Sequence, residues 1–172
     1  MGDDLLTRGG AVDLERVWDA MAGASELPRP APAAGDELAE LVDWARAHAA
    51  DGDGRCSILL ELLDGGSRAA HGEAPPAVPA DPSGTAGYRM FREAVGLARR
   101  LRAVEADRAS GSWIFLRLET SATWFTVDRC YDWWPAWMPR SPFAGPSVRA
   151  LRREMDRRSA EYRPPWACLL TT

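Results

Sequence analysis

Trp113-Ile114-Phe115-Leu116-Arg117-Leu118-Glu119, followed after a short polar break by Trp124-Phe125-Thr126-Val127-Asp128, decides the fold of this chain. Aromatic and β-branched residues fill both runs, and Thr120-Ser121-Ala122 between them has the composition of a turn. The pair reads as a hairpin with strands at 112–119 and 123–127. By the two-residue period of a strand, Ile114, Leu116 and Leu118 share one face, and Trp113, Phe115, Arg117 and Glu119 share the other. Apolar side chains on both faces predict that helices or a partner cover the sheet from both sides.

Working outward, residues 87–108 precede the hairpin with a helical pattern. Tyr88, Phe91, Val95, Ala98, Leu101 and Val104 or Glu105 recur at helical spacing opposite Arg92, Arg99 and Arg102. Upstream of that, the apolar run 56–63, the turn Asp64-Gly65-Gly66 and residues 67–72 read as another hairpin. Two helices open the chain. The first spans 13–22, with Leu14, Val17, Trp18 and Met21 inward; the second spans 36–48, capped by Asp36, with Leu38, Leu41, Val42 and Ala45 inward. A last helix at 147–161 turns Val148, Leu151 and Met155 inward and Arg149, Arg152, Arg153, Arg157 and Arg158 outward. Proline-rich stretches at 28–32, 75–83 and 135–146 are loops, and residues 166–170 form a short apolar tail. The order αα-ββ-α-ββ-α predicts an α+β fold: an antiparallel sheet of about four strands from two hairpins, packed with about four helices. At 172 residues the chain is one domain, 1–172.

Hydrophobic content of 46% and charged content of 27% place the chain among soluble globular proteins. The net charge of -4 gives no general affinity for nucleic acid or anionic membrane. All 21 basic residues are Arg, which forms planar bidentate pairs that Lys cannot. Cys56, Cys130 and Cys168 are odd in number and irregularly spaced, so buried free thiols in a reducing compartment are expected. The acidic start at residues 1–4 lacks the order of a signal peptide, and no apolar run approaches a membrane span. A cytoplasmic location is expected.

No catalytic constellation stands out. Asp51-Gly52-Asp53-Gly54 opens like a calcium loop but lacks its later ligands, and reads as a solvated turn. Glu119, Asp128 and Asp132 lie close enough for a carboxylate pair, although pairing with Arg117 and Arg129 is the commoner use of such groups. His48 suits the negative end of a helix, and Ser67 with His71 has no nucleophile elbow around it. Phosphate-cradling glycine motifs are absent, and the arginines of the last helix read as a solvated face. The chain is therefore read as non-catalytic, with no cofactor and no metal.

Six of the eight tryptophans fall in the last third, three of them in Tyr131-Asp132-Trp133-Trp134-Pro135-Ala136-Trp137. A proline and an aspartate inside that run keep all three indoles from facing inward together. An aromatic cluster ringed by carboxylates favours recognition, because Trp and Tyr bury much area while losing few rotamers. The expected partner-binding surface is Tyr131, Asp132, Trp133, Trp134 and Trp137, with Asp128 and Glu119 nearby.

Trp113, Leu118 and Glu119 on one strand, Trp124, Phe125 and Val127 on the next, the pair Tyr131-Asp132, then Glu154 and Arg158 four apart on a helix and a closing Trp166, resemble the YezG-type immunity proteins of bacterial polymorphic toxin systems. The resemblance covers about a third of the chain, and the chain departs from it in the insert 133–146 and the proline-rich segment 75–83. It implies a small, cytoplasmic, non-catalytic inhibitor that binds a cognate toxin domain, a nuclease or an NAD-degrading enzyme, and occludes its active site. The family's members share a fold but answer to different toxins. The alternative is a small-ligand module or undescribed enzyme with a Trp-lined pocket, and a third reading is an adaptor that dimerises through exposed indoles.

Overall fold

The two hairpins assemble into one antiparallel sheet in a computed structural model that describes residues 12–32, 35–81, 83–141 and 144–171. The strands are β1 (Cys56–Leu63), β2 (Gly66–His71), β3 (Phe115–Thr120) and β4 (Phe125–Cys130), in the spatial order β2-β1-β3-β4. Helices α1 (Leu14–Ala22), α2 (Asp36–Ala47), α3 (Thr85–Val104) and α4 (Val148–Arg157) complete the αα-ββ-α-ββ-α order, with short 3-10 segments at Ala160–Tyr162 and Pro165–Leu170. The fold is α+β, as the patterning predicts. Residues 1–4, Pro82 of the 75–83 loop, and Pro142 and Phe143 of the 135–146 loop lie outside the described residues.

Helices cover both faces of the sheet. Leu41, Val42 and Ala45 of α2 and Val95, Ala98 and Leu101 of α3 pack on Ile58, Leu60, Leu62, Leu116 and Leu118. On the opposite face Val17, Trp18 and Met21 of α1, Leu151 and Met155 of α4, and Trp166 and Leu170 meet Leu59, Leu63, Phe115 and Cys130. This double cover explains why β1 is buried along its whole length and reads as an unbroken apolar run. Its hairpin closes through Asp64-Gly65, where Gly65 takes the positive φ of 90° that a two-residue turn needs.

The deciding hairpin differs from its period-two reading at its start. Phe115 pairs with Cys130, yet the Ile114 N–H also donates to the Cys130 carbonyl at 2.8 Å, so two residues of this strand oppose one of β4. This is a β-bulge, and it reverses the alternation. Ile114 and Phe115 both join the α1–α4 side, while Trp113 crosses to the α2–α3 side. The turn itself sits later than the composition suggests. Ser121 N–H donates to the Trp124 carbonyl at 2.9 Å, which leaves Ala122-Thr123 as the loop and carries β4 on to Cys130.

Several side chains depart from their expected faces. Tyr88, on the first turn of α3, is 61% exposed. Arg102 and Arg158, placed outward by helical spacing, are buried, each with carboxylate and carbonyl partners that offset desolvation. Cys56 and Cys130 are buried thiols, whereas Cys168 is exposed on the last 3-10 segment. Among the described residues no helix is long and apolar enough to cross a membrane.

Candidate functional site

The segment that leaves β4 is anchored by charges under the protein surface. Asp132 is fully buried and accepts from Arg158 Nη1 at 2.7 Å, from Arg29 Nη2 at 2.5 Å and from the Leu27 N–H at 2.8 Å. Arg158, also without exposed side-chain surface, uses its other nitrogens on the Ser112 and Tyr131 carbonyls and on Glu154 of its own helix. Glu154 accepts from Arg102 at 2.8 Å and from the Ser112 N–H at 2.9 Å. A buried charge is tolerable only with this density of partners. Arg29 completes the group by stacking its guanidinium over the Tyr131 ring at 4.2 Å, and Trp166 Nε1 donates to the Asp132 carbonyl. Through these bonds the chain around 131–132 is held by α4, by the α1–α2 connection and by the turn before β3.

Glu26 lies at the rim of this network, with its carboxylate accepting from the Tyr131 N–H. Burial, and then the negative charge of Asp132, raise its pKa from 4.5 to about 7, against the opposing pull of that N–H and of Arg29. Beside Trp113, Glu105 accepts from the indole N–H and pairs with Arg129. Burial raises the Glu61 carboxyl despite its bond to Arg68, and lowers Arg158 despite Glu154 and Asp132.

The structure divides the expected binding residues. Tyr131, Asp132 and Trp134 are interior and offer no contact surface. The Trp134 indole donates to the Met138 carbonyl and packs among Trp18, Phe115, Arg68 and Arg140, because the following Pro135 turns the chain back over the sheet. Trp133 and Trp137 are half-buried, as are Glu119 and Asp128. These four stay at the surface together with Arg117, whose guanidinium lies 5.4 Å from the Trp137 ring centroid while its Nε donates to Asp128 at 2.7 Å. Arg117 is cross-strand neighbour to Asp128 and Glu119 to Thr126, so all four point to the same side of the sheet. The indole of Trp137, the Arg117–Asp128 pair and Glu119 thus form one mixed aromatic and charged surface.

Sequence reasoning missed two features. The first is the buried network, whose only signal is the four-residue spacing of Glu154 and Arg158. The second is an apolar cleft of about 440 Å3 between β1, the edge strand β2 and the first half of α3, walled by residues 75–78. Ile58, Leu60, Ala69, Met90 and Phe91 line it, with Trp44 at one end and His71 as its one imidazole. It is open because the facing residues Ala69, Gly87 and Ala94 are small. Among the described residues no group of three or more His, Cys, Asp or Glu is placed to hold a metal.

Comparison with protein-family models, with curated proteins and with solved structures finds no match for this chain.

Proposed function

We propose that this protein is an immunity protein that binds a cognate toxin domain in the cytoplasm and blocks its active site. The observation that carries the reading is the surface of Trp137, the Arg117–Asp128 pair and Glu119, standing on a sheet whose next segment is bolted down by the Asp132–Arg158 network. A preformed aromatic patch loses little entropy on binding, and its acidic flank suits the basic cleft of a nuclease or a pocket that binds a dinucleotide phosphate. Of the residues that carry the resemblance, Trp113, Leu118, Tyr131, Asp132, Glu154, Arg158 and Trp166 are interior, whereas Trp124 and Phe125 are exposed. The test is capture of partners by the tagged chain from a lysate of its source. Recovery of a toxin-domain protein, bound less tightly by the Trp137→Ala variant, is expected; a chain that returns alone overturns the reading.

The apolar cleft favours a second reading, a module that binds a small uncharged ligand between sheet and α3. Its wall is aliphatic and aromatic, with Trp44 as its single indole. An environment-sensitive apolar dye should bind and be displaced by Met90→Trp, which fills the cleft. Equal dye binding by both forms would remove the cleft from consideration.

A further inference from the structure

Where the β1–β2 turn meets the C-terminal ends of α3 and α4, the molecule holds a cavity of about 720 Å3. Leu62, Leu63, Ala103 and Ala106 give it an apolar wall, and its charged lining is Asp64 with Arg99, Arg102 and Arg157. Three guanidinium groups against one carboxylate leave a local surplus of positive charge in a chain whose net charge is -4. Their donors are not used up. Among the described residues Arg99 has no hydrogen-bond or ion-pair partner. Arg102 is buried, with Nε donating to the Trp113 carbonyl and Nη2 to Glu154. Its Nη1 makes only a 3.9 Å contact with Asp64 Oδ1, beyond hydrogen-bond reach. Arg157 pairs with Asp64 through Nη2, which leaves its Nε and Nη1 open. Glu154, behind Arg102, is answered by Arg158 as well, so it does not cancel the surplus. The bond from Arg157, and then the charges of Arg157, Arg102 and Arg153, hold the Asp64 carboxyl below its ordinary value, although burial opposes them. Arg102 and Arg157 also stand in the last turns of α3 and α4, where they offset helix dipoles that would repel an anion.

We propose that this cavity binds the phosphate group of a phosphorylated small molecule. Arg99, Arg102 Nη1 and Arg157 donate to the phosphate oxygens, and the wall of Leu62, Leu63, Ala103 and Ala106 takes the organic part. At neutral pH a phosphate monoester carries about -1.5 to -2 charges and three strong acceptor oxygens, which suit the surplus charge and the three open guanidinium groups. A carboxylate brings a single charge and two oxygens, and Asp64 already supplies one. The volume is that of a small-molecule site and exceeds what phosphate alone would fill. The inference rests on neither reading above. Glu119 of the proposed toxin-binding surface stands beside Ser57 at the start of β1, whereas the cavity lies at the other end of that strand, and no residue lines both it and the apolar cleft.

The test is titration of the full chain with phenyl phosphate at constant ionic strength, followed by amide NMR. Saturable shifts are expected at Gly65, Ala103 and Ser112, which line the cavity. Benzoate, the same ring with a single charge, should bind at least about fivefold more weakly. Arg99→Gln removes an exposed side chain that bonds to nothing in the fold, and should weaken phenyl phosphate at least about fivefold. Asp64→Asn removes the competing carboxylate and keeps an Asn-Gly turn that suits the hairpin, and should tighten binding at least about threefold. A loosened fold cannot produce that gain. Absence of saturable shifts at the cavity overturns the proposal, as does equal affinity for benzoate. So does an Arg99→Gln variant that binds like the parent, or an Asp64→Asn variant that fails to bind more tightly.

Discussion

Arg158 carries more of this structure than any exposed tryptophan. Replacing it with Met would leave Asp132 and Glu154 charged in the interior, each short of a partner. A loss of about 3–5 kcal/mol is expected, measured by urea unfolding. Arg158→Lys should recover only a small part, since one ammonium cannot reach Asp132, Glu154 and two carbonyls at once. Glu26 makes a prediction of the opposite kind. Its pKa stands higher in the folded chain than in the unfolded one, so the unfolded state gives up this proton first as pH rises. Its contribution to stability is complete below about pH 4.5 and is lost as pH climbs to about 7. Glu26→Gln should match the parent at pH 4 and exceed it in melting temperature at pH 8; a variant less stable at pH 8 would refute the raised value. Neither role was legible from the residues. Spacing put Arg158 outward with four other arginines, because helical period locates a side chain but says nothing of a buried carboxylate brought from 26 residues earlier in the chain.

At the scale of elements, much was legible. β1, the turn after it and the four helices follow from apolar period and glycine pairs, signals that act within a few residues; the cap of α2 does not, since Asp36 is the first helical residue and Gly35 holds the cap position with no side-chain bond. The start of β3 was not, since a bulge is fixed by the partner strand and leaves no local signature. The turn before it depends on Gly111, which holds φ 78°. A Cβ there would sit 2.7 Å from Arg158 Nε and from Glu154 Oε1. Gly111→Ala therefore combines a left-handed backbone, costing about 1–2 kcal/mol for a residue with a side chain, with intrusion into the ion network. Thermal unfolding should show a loss larger than the backbone cost alone, and a loss below about 1 kcal/mol would mean that the turn relaxes.

For the whole molecule, tryptophans that look alike in the sequence divide into two kinds of work. Trp134→Ala should cost about 3–5 kcal/mol of stability, because the indole is packed among Trp18, Phe115 and two arginines. Trp137→Ala should lower the melting temperature less than Trp134→Ala does, while weakening the proposed toxin complex by more than about 2 kcal/mol, roughly thirtyfold in Kd by titration calorimetry. Reversal of these two effects would move the interface off the sheet. The aromatic cluster was visible in the sequence as a cluster. Which indole faces inward depends on Pro135, on Met138 and on helices far away in the chain, so the division was not.

The three cysteines give the molecule a built-in address for chemistry. Burial raises the thiol of Cys56 to about 11 and that of Cys130 to about 12, so neither offers thiolate at neutral pH, while Cys168 is open to solvent. A maleimide fluorophore added to the folded, unaltered chain should therefore attach once, beside the closing 3-10 segment. Single-molecule ruler experiments could then start from the natural sequence, with no cysteine removed.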